Sequence, residues 1–267
     1  MTRFAAKLFP AALTLLLAAC ATAPGSVAPN AQAERPLSDL VPTTASEARA
    51  KVHVELGMAY LQAGRFDVAL DEAAVALDES ASYAPAFHLK GLVYMLVEDN
   101  RQADSNFRQA LSQAPGDPDF NNSYGWFLCT QGRESEGLER LALAARNPYY
   151  RTPTRSYTNA GLCHLRTGDD AAAVIQFQRA VDADPSNAQA LYNLASIAYR
   201  QGDFAGARAH LIRLHQQSNP TPESVWLGLR TERRLGNTEA EASYAAQLRS
   251  RFGSSPEFQL MQQGKYE

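Results

Sequence analysis

Small residues recur along most of this chain at a nearly constant spacing, and this regularity constrains the fold more than any other feature. The recurring positions, separated by 34, 34, 36, 34 and 33 residues, are Gly57, Gly91, Gly125, Gly161, Ala195 and Gly228. Large apolar residues flank each position, and in four copies another glycine follows seven residues later. A repeat of this length predicts a stack of antiparallel helix pairs, because no single pair can bury its apolar face alone.

The residues around these positions resemble the tetratricopeptide repeat. The second copy, for example, has Phe87, Gly91 and Tyr94 on its first helix and Ala103 and Phe107 on its second. The resemblance implies an all-α fold, a right-handed superhelix of about six helix-turn-helix repeats over residues 48–253. Residues 254–267 are expected to form a C-terminal tail. A hydrophobic content of 45% supplies enough apolar side chains for such a core.

The third and fourth copies depart from this pattern. The third has Gly137 and Leu141 where Ala and Phe are usual, and two extra residues precede the fourth. The extra residues fall within residues 147–153, where Pro148 and Pro153 predict a rigid bend.

The first 19 residues have the features of an export signal. Arg3 and Lys7 precede a mostly apolar run over residues 8–19, which is shorter than the roughly 20 residues of a membrane-spanning helix. The run ends in Leu-Ala-Ala-Cys at residues 17–20, which resembles the lipobox of bacterial lipoproteins and implies lipidation of Cys20. Ala21, where inner-membrane lipoproteins have Asp, favours the outer membrane. An ordinary secretory signal with an incidental cysteine is the alternative.

Charge and composition give two further constraints on the chain. The sequence has 25 basic and 28 acidic residues, a formal charge of −3, and so lacks the basic surplus of a nucleic-acid-binding protein. Residues 20–47 begin with the lipidated cysteine and are rich in Ala, Pro, Ser and Thr, which predicts a flexible linker between membrane and repeats.

No motif in the sequence predicts catalysis. The sequence contains no Gly-rich phosphate loop with Lys, no His-Glu-x-x-His pair, no Gly-x-Ser-x-Gly elbow and no Cys-x-x-Cys pair. The five histidines have no metal-ligand spacing, and His164 stands where the repeat usually has a packing tyrosine. We therefore expect a protein that is not an enzyme and that holds no cofactor or metal.

Two cysteines fall on the first helices of neighbouring copies. Because such helices pack side by side, Cys129 and Cys163 are expected to approach within disulfide range, and export to an oxidising compartment favours the bond. Two buried free thiols that act as small apolar residues are the alternative.

The first helices are also expected to line a concave groove that binds a protein partner. The early copies are apolar and contain methionine, which suits an adaptable peptide groove, and Trp126 is a residue type common among interface anchors. The alternative is that Trp126 and its apolar neighbours simply pack between copies. The predicted groove residues are Met58, Leu61, Gln62, His88, Leu92, Met95, Asn122, Trp126, Thr130, Thr158, Leu162, Arg166, Tyr192, Ser196 and Arg200.

Three stretches are unlike generic repeats and resemble the PilF/PilW family of type IV pilus biogenesis lipoproteins. They are Asn-Asn-Ser-Tyr-Gly-Trp-Phe-Leu-Cys at 121–129, Asn-Pro-Tyr-Tyr-Arg-Thr-Pro at 147–153, and Asn-Ala-Gly-Leu-Cys at 159–163. One departure from the family pattern is Ser123. The likeness also covers the lipobox, the six repeats and the paired cysteines, and so nearly the whole chain.

The family resemblance implies a function in secretin assembly. It predicts a pilotin, an outer-membrane lipoprotein that faces the periplasm of a Gram-negative bacterium. Such a protein binds the PilQ-like secretin subunit of the type IV pilus and promotes its localisation and multimer assembly, hence pilus biogenesis. A generic tetratricopeptide lipoprotein that serves cell-envelope or cell-wall enzymes is the alternative.

Overall fold

The computed structural model describes residues 1–2 and 33–267, and all regular secondary structure in this part of the chain is helical. A 3₁₀ turn at Leu37–Asp39 precedes the α-helices. These are α1 (Ala45–Gln62), α2 (Phe66–Glu79), α3 (Ala84–Leu96), α4 (Asn100–Gln113), α5 (Pro118–Thr130), α6 (Glu134–Arg146), α7 (Pro153–Arg166), α8 (Asp170–Ala183), α9 (Ala188–Arg200), α10 (Phe204–Gln217), α11 (Pro222–Arg234), α12 (Thr238–Arg251) and α13 (Pro256–Gln262). The prediction of an all-α repeat fold is confirmed.

Some predictions concern residues outside this range. The export signal, the lipidation site Cys20 and residues 20–32 of the predicted linker lie outside the described residues. No helix in the described part combines the length and the apolar character needed to span a bilayer.

Helices α1 to α12 form six consecutive pairs, and polar side chains fix where the second helices begin. Asp99, Asp169, Asp203 and Asn237 accept a backbone N–H at the start of α4, α8, α10 and α12. The tight turn within each pair needs one residue at positive φ. These residues are Gly64, Glu98, Gly132, Gly168, Gly202 and Gly236.

The recurring glycines let the two helices of a pair approach closely. A Cβ atom at Gly91 would lie 2.7 Å from the Phe107 ring, and one at Gly161 would lie 2.5 Å from the Phe177 ring. Both rings are fully buried. The small-residue spacing in the sequence therefore records the crossing points of successive helix pairs.

The first helices of successive pairs form a continuous layer. Helices α1, α3, α5, α7, α9 and α11 contact one another in this order. Each of the second helices α2, α4, α6, α8 and α10 packs against the first helix of its own pair and of the next pair, and α12 packs against α11. This layer presents side chains from several copies on one surface, which is the basis of the candidate site.

Part of the predicted flexible linker is instead docked on the repeats. The Asn147 side chain donates a hydrogen bond of 2.8 Å from Nδ2 to the Glu34 carbonyl oxygen. The backbone N–H of Leu37 donates to Oδ2 of Asp117, also at 2.8 Å. We call residues 33–44 the strap. It spans the turns that precede α5 and α7. Helix α1 follows the strap directly and begins at Ala45, three residues before the predicted start of the repeats at residue 48.

The C-terminal residues cover the last helix pair. Helix α13 contacts α11 and α12, and the Tyr266 ring stacks on Trp226 with a centroid distance of 5.5 Å. The expected tail therefore contains a short helix that shields the apolar surface of the sixth pair.

Candidate protein-binding groove

A cavity of about 290 Å³ lies along four neighbouring first helices, α3, α5, α7 and α9. Five of the predicted groove residues, Leu92, Met95, Asn122, Trp126 and Thr158, lie together in its lining. We call this cavity the central groove. Its described lining is Leu92, Met95, Asn122, Ser123, Trp126, Arg155, Thr158, Asn159, Asn187 and Gln189.

One wall of the central groove is apolar. Leu92 and Met95 stand three residues apart on α3 and so share one face of that helix. Both are half-buried and pack against the core around Phe107. Trp126 on α5 is also half-buried, because one part of its ring contacts the core that contains Cys129. Trp126 thus packs between copies and also faces the groove. It has features of both predictions, the groove residue and the packing residue.

The other wall carries side-chain amides. Oδ1 of Asn122 accepts hydrogen bonds from Ser156 Oγ at 2.9 Å and from Asn159 Nδ2 at 3.1 Å. Asn187 Nδ2 donates to Thr158 Oγ1 at 3.1 Å. These bonds join α5, α7 and the start of α9. The Nδ2 group of Asn122 donates to no described residue, so it can hydrogen-bond a carbonyl oxygen of a bound segment.

Arg155 is the only charged side chain in the described lining of the central groove. The neighbouring His88 contributes no charge, because burial lowers the pKa of His88 to about 3 and the Arg155 cation lowers it further. The His88 ring packs at a tilt against the Phe120 ring, with the centroids 4.7 Å apart, and its Nε2 lies 2.9 Å from Ser123 Oγ. Although predicted as a groove residue, His88 therefore packs between α3 and α5.

Several other predicted groove residues lie elsewhere in the repeats. Met58 and Leu61 pack against the core between α2 and α3, and Leu162 and Tyr192 pack against the core around Phe177. Their apolar surfaces are used within the fold. The predicted residues outside the lining of the central groove are Met58, Leu61, Gln62, His88, Thr130, Leu162, Arg166, Tyr192, Ser196 and Arg200.

The predicted cations near the groove also have local partners. Arg166 donates from Nε to the carbonyl oxygen of Cys129 at 2.9 Å, which caps the end of α5. Arg200 pairs with Asp170 at 2.8 Å. Both guanidinium groups therefore stabilise contacts between neighbouring copies.

Sequence reasoning missed five lining residues, which are Ser123, Arg155, Asn159, Asn187 and Gln189. Asn187 caps α9 and Gln189 lies in its first turn, so both enter the groove from the helix start. The predicted positions were counted from the recurring small residue and covered the middle and end of each helix. Counting back to the helix caps would have found these two residues.

A disulfide lies beside the groove. Cys129 on α5 and Cys163 on α7 are bonded, with their Cα atoms 5.5 Å apart. Both residues are fully buried, in a core that includes Leu141 and contacts Trp126. The bond joins the first helices of the third and fourth copies at the longer connection between α6 and α7.

No cluster of three or more His, Cys, Asp or Glu side chains in the described part of the chain could hold a metal ion.

Comparison with known proteins places this architecture among the tetratricopeptide repeats. Family profiles described as tetratricopeptide repeat match residues 84–117, 142–188 and 158–221. The type IV pilus assembly protein PilF of Pseudomonas aeruginosa is 28% identical and aligns over 80% of this chain and 84% of its own length.

Two solved structures are similar over most of their length. The crystal structure of PilW, a type IV pilus biogenesis factor, is 27% identical with a TM-score of 0.73, covering 80% of this chain and 98% of PilW. The structure of Pseudomonas aeruginosa PilF is 26% identical with a TM-score of 0.74, covering 83% of this chain and 100% of PilF. The similarity therefore extends beyond single repeats to the arrangement of the whole array.

Proposed function

Since the chain is a tetratricopeptide-repeat protein similar to PilF and PilW, we propose that it is an outer-membrane lipoprotein pilotin for type IV pilus biogenesis. It binds a segment of the pilus secretin subunit in the central groove and promotes outer-membrane localisation and multimer assembly of the secretin. The named roles of PilF and PilW in pilus assembly and biogenesis support the pathway, and the lipobox-like sequence at residues 17–20 supports the membrane anchor.

The observation that carries the binding role is the pairing of an apolar and an amide wall in one groove. Leu92, Met95 and Trp126 offer an apolar surface for side chains of the partner. Asn122 and Asn159 offer amide groups for its backbone. A segment bound here satisfies its polar backbone and buries apolar side chains at the same time, which is how peptide grooves obtain affinity.

The test is a binding measurement between the purified mature protein and the secretin subunit. Met95→Glu places a carboxylate beside Leu92 and Trp126, where a bound apolar side chain would desolvate it. We expect at least about tenfold weaker binding, which corresponds to about 1.4 kcal/mol. The same variant should form fewer secretin multimers in cells.

Ile212→Glu is the matched control, because Ile212 is an exposed apolar residue on α10, a helix that contributes no residue to the described lining of the groove. Circular dichroism should show both variants folded. Wild-type affinity in folded Met95→Glu would move the contact away from the groove. A wild-type protein that captures cell-wall synthases or hydrolases, and no secretin, would replace the pilotin proposal by the envelope-scaffold alternative.

A further inference from the structure

A second and larger cavity, of about 600 Å³, lies between α6, α7 and α8. We call it the α6–α8 cleft. Helix α7 contributes Tyr157, Ala160 and His164 to this cleft, whereas it contributes Thr158 and Asn159 to the central groove. The two cavities therefore use different faces of α7, and the cleft is a separate surface.

The boundary between the second and third copies, one copy earlier, shows which side chain occupies the position equivalent to Ala160. The third and fourth copies align at an offset of 36 residues, set by Gly125 and Gly161, so Tyr124 is the counterpart of Ala160. Tyr124 is 3% exposed. The guanidinium carbons of Arg108 and Arg140 lie 6.0 and 5.9 Å from the centre of its ring. One junction thus holds a tyrosine between two arginines, and the next has only a methyl group at this position.

The later junctions also fill the equivalent position. Leu194 and Leu227, each directly before the recurring small residue, are 3% and 2% exposed. Ala142 on α6, the counterpart of Arg108, is likewise small and lines the cleft. The space between α6 and α8 therefore results from two small side chains at positions that carry large ones in the neighbouring copy.

The cleft has a positive rim. Arg146 ends α6 and Arg179 lies on α8, both are exposed, and neither forms an ion pair with a described residue. No Asp or Glu is present among the described residues that line the cleft. A carboxylate between the two guanidinium groups would gain favourable Coulomb energy and charge-assisted hydrogen bonds.

We infer that the α6–α8 cleft docks a segment of a partner protein that inserts an aromatic side chain against Ala160 and presents an acidic residue to Arg146 and Arg179. The internal repeat supports the aromatic group, since a tyrosine occupies the equivalent place one copy earlier. The unpaired arginines support the acidic neighbour. This site is independent of secretin binding in the central groove. Ala160 and Leu141 share a core with Cys129 and Cys163, so the disulfide stabilises the floor of the cleft.

The probe is a short fluorescein-labelled synthetic peptide with one tyrosine flanked by aspartates. Matched peptides have alanine in place of tyrosine or lysine in place of aspartate. Fluorescence anisotropy with the mature protein should show binding of the tyrosine–aspartate peptide and at least about tenfold weaker binding of both matched peptides.

Two variants separate the aromatic and the acidic contacts. Ala160→Tyr supplies the missing ring from within the chain and should weaken binding by at least about tenfold, whereas Ala246→Tyr, at an exposed position of α12, should not. Arg179 is exposed on the rim of the cleft, so Arg179→Glu should leave the fold intact. The variant should shift the binding preference from the aspartate peptide toward the lysine peptide.

Three results would overturn the inference. The first is no binding of the tyrosine–aspartate peptide to the wild-type protein. The second is equal binding to the wild type, Ala160→Tyr and Arg179→Glu. The third is co-sedimentation of the unlipidated protein with phosphatidylglycerol vesicles that depends on Arg179 while the peptide does not bind, which would assign the cleft to a lipid headgroup.

Discussion

At the scale of single residues, the carboxyl group of Asp117 joins the strap to the start of α5. Its Oδ1 accepts the backbone N–H groups of Asp119 and Phe120 at the start of α5, and its Oδ2 accepts the N–H of Leu37 in the strap. The side chain is 1% exposed. Burial raises the pKa of Asp117 from 3.8 to about 6, although the N–H groups of Leu37 and Phe120 oppose the shift.

This raised pKa predicts a pH-dependent stability with a defined sign. Between about pH 4 and pH 6 the folded chain keeps a proton on Asp117 that the unfolded chain releases. The contribution of Asp117 to the free energy of unfolding is therefore complete below about pH 4 and is lost as the pH rises through about 6. The loss amounts to at most about 3 kcal/mol.

Urea unfolding of the wild type and of Asp117→Asn between pH 4 and pH 7 measures this effect. Relative to the variant, the wild type should lose stability as the pH rises. Asp71→Asn, at an exposed position of α2, is the control and should follow the wild-type profile. Parallel profiles for the wild type and Asp117→Asn would contradict the prediction.

At the scale of elements, one buried amide holds the beginning of the strap. Nδ2 of Asn147 donates to the carbonyl oxygens of Glu34 at 2.8 Å and of Gly116 at 3.0 Å. Asn147→Ala removes both bonds and leaves two carbonyl groups unsatisfied, so we expect a loss of about 1–3 kcal/mol in the free energy of unfolding. Hydrogen exchange should become faster at the Leu37 amide, because the strap then opens without global unfolding.

A second contact of the strap, which is mostly solvated, supplies the matched control for Asn147→Ala. Arg151 pairs with Asp39 at 3.1 Å, but its side chain is 78% exposed. Arg151→Ala should therefore cost less than about 1 kcal/mol and should leave the exchange of the Leu37 amide unchanged. Equal exchange in Asn147→Ala and in the wild type would show that the strap is held by other contacts.

The second prediction at this scale concerns the disulfide between Cys129 on α5 and Cys163 on α7. Mature protein purified from the periplasm should have no thiol at Cys129 or Cys163 that reacts with an alkylating reagent before reduction. The double variant Cys129→Ser/Cys163→Ser opens a loop with a sequence separation of 34 residues and should lose about 2–4 kcal/mol. Complete alkylation without a reductant would reject the disulfide.

At the scale of the whole molecule, the repeat pattern predicted the array but not the contacts that dock the strap on it. The glycine spacing marks the helix crossings, because a Cβ atom at those positions would collide with the second helix. The strap could not be predicted, since its Pro- and Ser-rich sequence has no apolar period and its contacts come from turns as far away as Asn147. The groove was predicted in part, because an apolar residue on a first helix serves either the groove or the core between copies.

The last prediction concerns the membrane anchor, whose sequence lies outside the described residues. Two or three acyl chains hold a protein on a bilayer stably, because each buried methylene contributes about 0.8 kcal/mol. Cys20→Ser removes the thiol that would carry the lipid, whereas Ser26→Ala, in the same segment, leaves it in place. We expect Cys20→Ser to lose palmitate labelling and to leave the outer-membrane fraction, while Ser26→Ala behaves as the wild type. The unanchored protein should still bind the secretin subunit in solution, because the central groove is built from α3 to α9 alone. Normal labelling and fractionation of Cys20→Ser would reject the lipid anchor but would not affect the proposal that the central groove binds the secretin.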